Sequence, residues 1–180
     1  MFIQTEKTPN PNSLKFIPGK KVLHEGVIEI FKKTETENQL IKNIMSVDGV
    51  VSILLSEDFL SVNKKNDTDW EEIKHIIKSF INDYYSSENE VIIGDEKRLN
   101  QNENLKDIEK KIIKILDTKI RPAVAKDGGD IKFHKFENGI VKVKLQGSCS
   151  GCPSSTLTLK QGVQNLLCHY IPEVKEVLAI

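Results

Sequence analysis

At 180 residues and 20.4 kDa the chain has room for one ordinary domain or two small ones, which excludes a large multidomain enzyme. Its 26 basic side chains balance 26 acidic ones, so the overall basic field expected of a nucleic-acid binder is missing. Hydrophobic residues make up 38% and charged residues 29%, and no apolar run approaches the roughly 18 residues of a membrane span, so no membrane role is expected.

The zero net charge is a sum of opposites. Residues 1–104 carry 13 basic and 18 acidic side chains, while 105–180 carry 13 and 8, which points to two modules. Three cysteines, at 149, 152 and 168, are too few and too clustered to staple a fold with disulfides, so a reducing compartment is expected. The opening Met1-Phe2-Ile3-Gln4-Thr5-Glu6 shows neither the apolar core of a secretory signal nor an Arg-rich, acid-poor transit segment. The expected location on that reading is cytoplasmic.

In chain order, Thr8-Pro9-Asn10-Pro11-Asn12 predicts a turn between extended segments, with Leu14 to Ile17 as a strand that Pro18-Gly19 breaks. Gln39 to Val47 reads as a short helix. After Gly49, Val50 to Leu55 and Phe59 to Val62 read as a hairpin. Asp69 can cap a longer helix whose buried stripe is Trp70, Ile73, Ile76, Ile77, Phe80, Ile81 and Tyr84. The polar stretch 86–104 reads as a linker between modules 1–85 and 105–180, with the apolar Val91 to Ile93 able to dock on a neighbour.

The second module starts with a helical stripe of Leu105, Ile108, Ile112, Ile115 and Leu116 that Pro122 should kink or restart. Asp127-Gly128-Gly129-Asp130 then reads as a helix stop and turn. Ile131 to His134 and Val141 to Leu145 alternate with period two around the hairpin signal Asn138-Gly139. A last helix carries Leu159, Val163, Leu166, Leu167 and Tyr170 on one face, and Val174 to Ile180 forms a closing strand. The expected class is α+β in two small domains, the second with the order α-β-β-α-β.

The chemistry lies in Gly147-Ser148-Cys149-Ser150-Gly151-Cys152-Pro153. Two thiols three positions apart in a turn suit a soft metal, an iron-sulfur cluster or a dithiol couple. Pro153 suits the first turn of a helix, whose free amides and dipole favour a thiolate or an anionic sulfide. Zinc or a cluster normally takes four protein ligands, and this stretch supplies two. Cys168 cannot easily complete the set: helical rise puts it roughly 20 Å from the turn, on the Leu157 side of the helix, where it reads as a partly buried residue. The economical completion is a second copy of the chain, giving four thiolates across a twofold axis.

Asp127-Gly128-Gly129-Asp130, the 147–156 stretch and Leu157-Thr158-Leu159-Lys160-Gln161-Gly162-Val163 resemble the NifU-like C-terminal domain of Nfu-type iron-sulfur scaffold proteins. Thr8-Pro9-Asn10-Pro11-Asn12-Ser13-Leu14-Lys15-Phe16, with Ser46-Val47-Asp48-Gly49-Val50 and Asp58-Phe59, is similar to the Nfu N-terminal domain. One departure is Asn38-Gln39, where the family has Ser-Pro at a helix start. The resemblance implies a cluster carrier, not an enzyme, that holds a 4Fe-4S cluster between the CxxC pairs of a homodimer and passes it to client apoproteins from an upstream donor. Cys149 and Cys152 are then the ligands, with zinc an adventitious substitute, and the first module, 1–85, serves as an interaction domain.

Other features carry plainer readings. Asp127 and Asp130 are turn residues without chemistry, and Trp70 is a core residue. His24, His75 and His134 lack partners at ligand spacing, and His169 reads as a surface histidine. Lys142 and Lys144 point outward on a strand, as a solvated face or as a means of offsetting cluster charge or meeting an acidic client. Two rivals remain. One is a dithiol oxidoreductase, against which the leading hairpin argues because a thioredoxin-like CxxC follows a strand in a β-α-β setting. The other is a zinc-bridged adaptor.

Overall fold

The structure, a computed structural model, describes residues 2–87, 92, 105–150 and 153–180, with 153–156 described in backbone only. The chain divides into two compact units, residues 1–97 and 98–180. Each is α+β, as the sequence predicts.

In the first unit β1 (Gln4–Lys7), β2 (Ser13–Ile17), β3 (Ile28–Ile30), β4 (Val50–Leu55) and β5 (Leu60–Lys64) form an antiparallel sheet of order β1-β2-β5-β4-β3. The Thr8-Pro9-Asn10 turn forms because side chains replace missing ladder partners: the Thr8 hydroxyl donates to the Asn10 carbonyl at 2.8 Å, and the Asn12 N–H to Asn10 Oδ1 at 3.0 Å. Alternate residues Leu14, Phe16, Ile53, Leu55, Leu60 and Val62 join the core with α1 (Gln39–Ile44) and α2 (Trp70–Ser86). The Asn38 side chain accepts from the Ile41 N–H, so α1 starts properly without a Ser-Pro pair. Asp69 caps α2 as expected.

The buried line of α2 is Ile73, Ile77, Ile81 and Tyr85, each four residues apart. Trp70, Phe80 and Tyr84 pack against it half-buried, so Tyr85 takes the buried place expected of Tyr84. The Trp70 indole N–H donates to the Pro11 carbonyl at 3.0 Å, fastening the turn to the helix. Ile92 docks too. It is 3% exposed, and its N–H donates to the Val22 carbonyl at 2.9 Å, so a residue from the stretch read as linker belongs to this core. Val91, Ile93 and the rest of that stretch from 88 to 104 lie outside the described residues.

The second unit follows the order α-β-β-α-β. Its first helix is broken as Pro122 requires: α3 (Asp107–Ile115) passes through a π-helical turn at Leu116–Ile120 and restarts as α4 (Arg121–Lys126), with proline in the first turn. Strands β6 (Gly129–Glu137) and β7 (Ile140–Gly147) form the hairpin at Asn138-Gly139, and α5 (Pro153–Tyr170) returns the chain to β8 (Glu176–Ala179), which pairs parallel with β7. Val141, Val143 and Leu145 face the helices together with Ile112, Leu116, Val163, Leu167 and Val177. Two side chains depart from the sequence reading. Tyr170 is 52% exposed because α5 ends there and the buried position passes to Ile171. Asp130 belongs to β6 and is 2% exposed; only Asp127 ends the helix. No described helix is long and apolar enough to cross a membrane.

Candidate functional site

Strand β7 delivers the chain to Gly147 and α5 takes it away from Pro153, so Cys149 stands in a strand-to-helix turn. Gly147 adopts φ +63°, a left-handed conformation that a side chain disfavours. Its carbonyl accepts from both the backbone N–H and the hydroxyl of Ser150, at 3.1 and 2.7 Å, which closes the turn. From the other side, the Ser148 N–H donates to the Gly128 carbonyl at 3.2 Å and the Ser148 hydroxyl donates to the Asp127 carbonyl. The turn is thereby tied to the end of α4.

Between these anchors Cys149 is 6% exposed. Gly129 lies opposite Gly147 in the β6–β7 ladder, and a Cβ on Gly129 would overlap the Cys149 Sγ and crowd the Gln146 carbonyl. The missing side chain is the space the sulfur occupies. Burial pushes the Cys149 thiol up to about 11; a hydrogen bond with Ser148 acts against this, and the charges of Asp127 and Asp130 act with it. A thiol so raised keeps its proton at neutral pH, and a soft cation that takes the sulfur must displace it.

Beside this floor Arg121 grips Asp130 with two hydrogen bonds, Nε to Oδ1 at 2.8 Å and an Nη2 contact to Oδ2 at 3.0 Å, and reaches Asp117 at 3.1 Å. The fork ties the first turn of α4 to the start of β6 and satisfies a buried carboxylate. The turn reading of Asp130 is corrected on this point: the residue is structural, but as half of an ion pair. Its role was hidden because Arg121 lies nine residues away, across the end of a helix.

The expected ligands are described unequally. Cys149 is placed as above, whereas Cys152, with Gly151, lies outside the described residues. Cys168 is half-buried against the core of the second unit, and His24, His75, His134 and His169 are exposed. Among the described residues no group of three or more His, Cys, Asp or Glu side chains converges as a metal site. Leu157, in the second turn of α5, is 67% exposed. Sequence reasoning missed Gly129, although counting the ladder back from Asn138-Gly139 brings it opposite the cysteine turn.

The sequence argument against a dithiol oxidoreductase does not survive. Because β8 pairs parallel with β7, the units β7, α5 and β8 make a β-α-β setting with the cysteine turn after the strand. What weighs against thiol exchange is the direction of the Cys149 shift, since a nucleophilic CxxC thiol has its pKa lowered, not raised.

Residues 112–178 match the NifU-like domain, and residues 3–88 match the scaffold protein Nfu/NifU N-terminal domain. The mitochondrial NifU-like protein 5 of Arabidopsis thaliana is 40% identical over 98% of this chain and 67% of its own length. The chain belongs to the Nfu/NifU-like family.

Other relatives of this Nfu/NifU-like chain agree. The mitochondrial NifU-like protein 4 of Arabidopsis thaliana is 41% identical, and a mitochondrial protein of Drosophila ananassae named NFU1 iron-sulfur cluster scaffold homolog is 45% identical, each over 98% of this chain. The chain spans 65% and 63% of those two proteins, just under two thirds. A solved NifU-like protein from Saccharomyces cerevisiae aligns with a TM-score of 0.48 at 28% identity, over 54% of this chain and 87% of that one. These names overturn the cytoplasmic location: relatives matched along nearly the whole chain are called mitochondrial. The cytoplasmic reading rested on six residues at the start of the sequence, too short a stretch to decide a location.

Proposed function

We propose that this Nfu/NifU-like chain is a mitochondrial iron-sulfur cluster scaffold and carrier, with Cys149 and Cys152 as the ligands of its cargo. The cargo is a 4Fe-4S cluster held by the CxxC pairs of two copies, received from an upstream donor and passed to client apoproteins. The observation that carries the reading is the Cys149 turn. A soft sulfur is set on a glycine floor, in a backbone fastened at Gly147, Ser148 and Ser150, at the start of α5. A cluster of net negative charge gains from the amides of a helix start, and its Cys149 ligand needs the Cβ-free space over Gly129 for its sulfur. Family relatives named as iron-sulfur scaffolds give the same direction.

Two thiolates per chain leave a cluster half-coordinated, so loading pairs two copies and release separates them. The chain binds and hands over; it turns over no substrate. Anaerobic reconstitution tests this by measuring iron, sulfide and mass on one sample. The expected result is about two irons per chain in a dimer, with the cluster moving to an apoprotein that then gains activity. A monomer that keeps a whole cluster on its own side chains sinks the shared-site reading. Disulfide reductase activity in protein that takes up no cluster would instead support the dithiol alternative, and colourless, zinc-bound protein that cannot be reconstituted would support the zinc-bridged one.

A further inference from the structure

The helix-free face of the second unit's sheet holds an arrangement that the cluster site does not use. On β7, Val141, Val143 and Leu145 point to the core, so Lys142 and Lys144 point away from it. The ladder sets Lys144 directly opposite Lys132 and Lys142 directly opposite Lys135. The second pairing depends on a bulge: the register shifts between Phe133 and Lys135, so that Lys135, not His134, comes opposite Lys142. Four lysine side chains thus leave neighbouring positions, with Cβ atoms about 5 Å apart across the strands and about 7 Å apart along β7.

Like charges directly opposite one another weaken a sheet, and here two such pairs are adjacent. Carboxylates at the border offset them only in part. Asp130 is held by Arg121 and Glu176 lies 3.9 Å from Lys160; Glu137 pairs with Lys135, with both side chains about half exposed. Next to the lysines, β8 sets the half-buried Leu178 opposite Lys142. The face is cationic with an apolar margin.

We propose that this lysine face is a docking surface for an acidic segment of a partner protein. Its place gives the docking a purpose. Lys144 is three residues from Gly147, about 10 Å along the strand that runs into the cysteine turn, so an acidic partner seated here lies beside the cargo. A protein is favoured over nucleic acid because, among the described residues, the face has no arginine fork and no stacking aromatic ring, and the chain as a whole carries no net charge. The importance of this position rests on the carrier reading; the binding itself does not, and it is measured without a cluster.

The test uses the full-length apo chain and a fluorescent glutamate-rich peptide, followed by anisotropy over a salt series. Binding is expected to weaken steadily with salt, and K132Q/K144Q to lose about tenfold or more. The control K110Q/K111Q removes the same charge from α3 and should change binding by less than about twofold. Lys144→Glu should bind less while melting higher, because it turns a repelling pair into an attracting one. K132Q/K144Q should load iron as the unaltered chain does, which separates failure of the docking face from failure of the carrier. Equal binding by K132Q/K144Q, equal losses in the α3 control, or tighter binding of an oligonucleotide of the same charge would each overturn the proposal. So would salt-sensitive self-association that the lysine variants abolish, because the occupant would then be a second copy.

Discussion

Gly129 and Cys149 share one volume: the sulfur of Cys149 stands where the side chain of residue 129 would be. A methyl group at this position meets the thiol and the Cys149 Cβ on one side and the Gln146 carbonyl on the other. Backbone cannot yield as a flexible side chain does, so the sulfur must move. Gly129→Ala is expected to cost about 1–3 kcal/mol in overpacking and to remove most cluster loading while the sheet persists. Thermal melting and iron content on the same preparation check this. Full loading with unchanged stability would mean that the floor is not needed.

Two cysteines are assigned to the cargo and one to packing. Cys149→Ala and Cys152→Ala should each abolish loading and leave a folded protein. Cys168→Ala should load normally, because the residue is half-buried against the core of α5 and β8's unit and serves as a small apolar side chain. Iron and sulfide content after anaerobic reconstitution separates the three. Loss of the cluster in the Cys168 variant would reverse the assignment.

The residues that the sequence made legible are those whose role is periodic or local. The line through Ile73, Ile77 and Ile81 follows from helical spacing, the hairpin at Asn138-Gly139 from its turn chemistry, and the break at Pro122 from its missing N–H. The cysteine pair is proposed as the site on the same ground, since its spacing is its chemistry. What stayed hidden depends on partners distant in sequence. Strand β3, Ile28–Ile30, is three residues long and exists by pairing with β4. Tyr84 and Tyr85 are adjacent in α2, and Tyr85, in line with Ile81, is fastened inward by its hydrogen bond to the distant Lys21 carbonyl. The two ends of the Gly129 and Cys149 contact are twenty residues apart, and a bulge between Phe133 and Lys135 alters the count that joins them.

The Arg121 and Asp130 pair should be more costly to break than to dismantle. Asp130 is nearly wholly buried while Arg121 is about a third exposed, so removing arginine strands a carboxylate in the interior. Arg121→Met is expected to cost about 2–4 kcal/mol, discounted from a fully buried pair because of that exposure. Adding Asp130→Asn to it should recover part of the loss. Urea unfolding of the two single variants and the double variant measures the coupling. Additive losses would show that the fork contributes nothing as a pair.

Tyr85 makes the first unit sensitive to alkaline pH. Its ring is buried, its hydroxyl donates to the Lys21 carbonyl at 2.9 Å, and burial, helped by the nearby Tyr84, raises its pKa well above that of an ordinary tyrosine. Once the pH passes about 10, the unfolded chain releases this proton and the folded chain keeps it, so the folded state binds more protons and stability falls as the pH rises. Tyr85→Phe should lose about 1–2 kcal/mol at neutral pH, because the Lys21 carbonyl loses its donor. The variant has no proton to release at residue 85, so the gap between the two proteins should narrow as the pH climbs from about 8 to about 11. Lysines titrate equally in both proteins and cancel in the difference. Melting curves of the pair across that range decide the point: a gap that stays constant or widens would mean that the phenol ionises in the folded unit as easily as in the open chain.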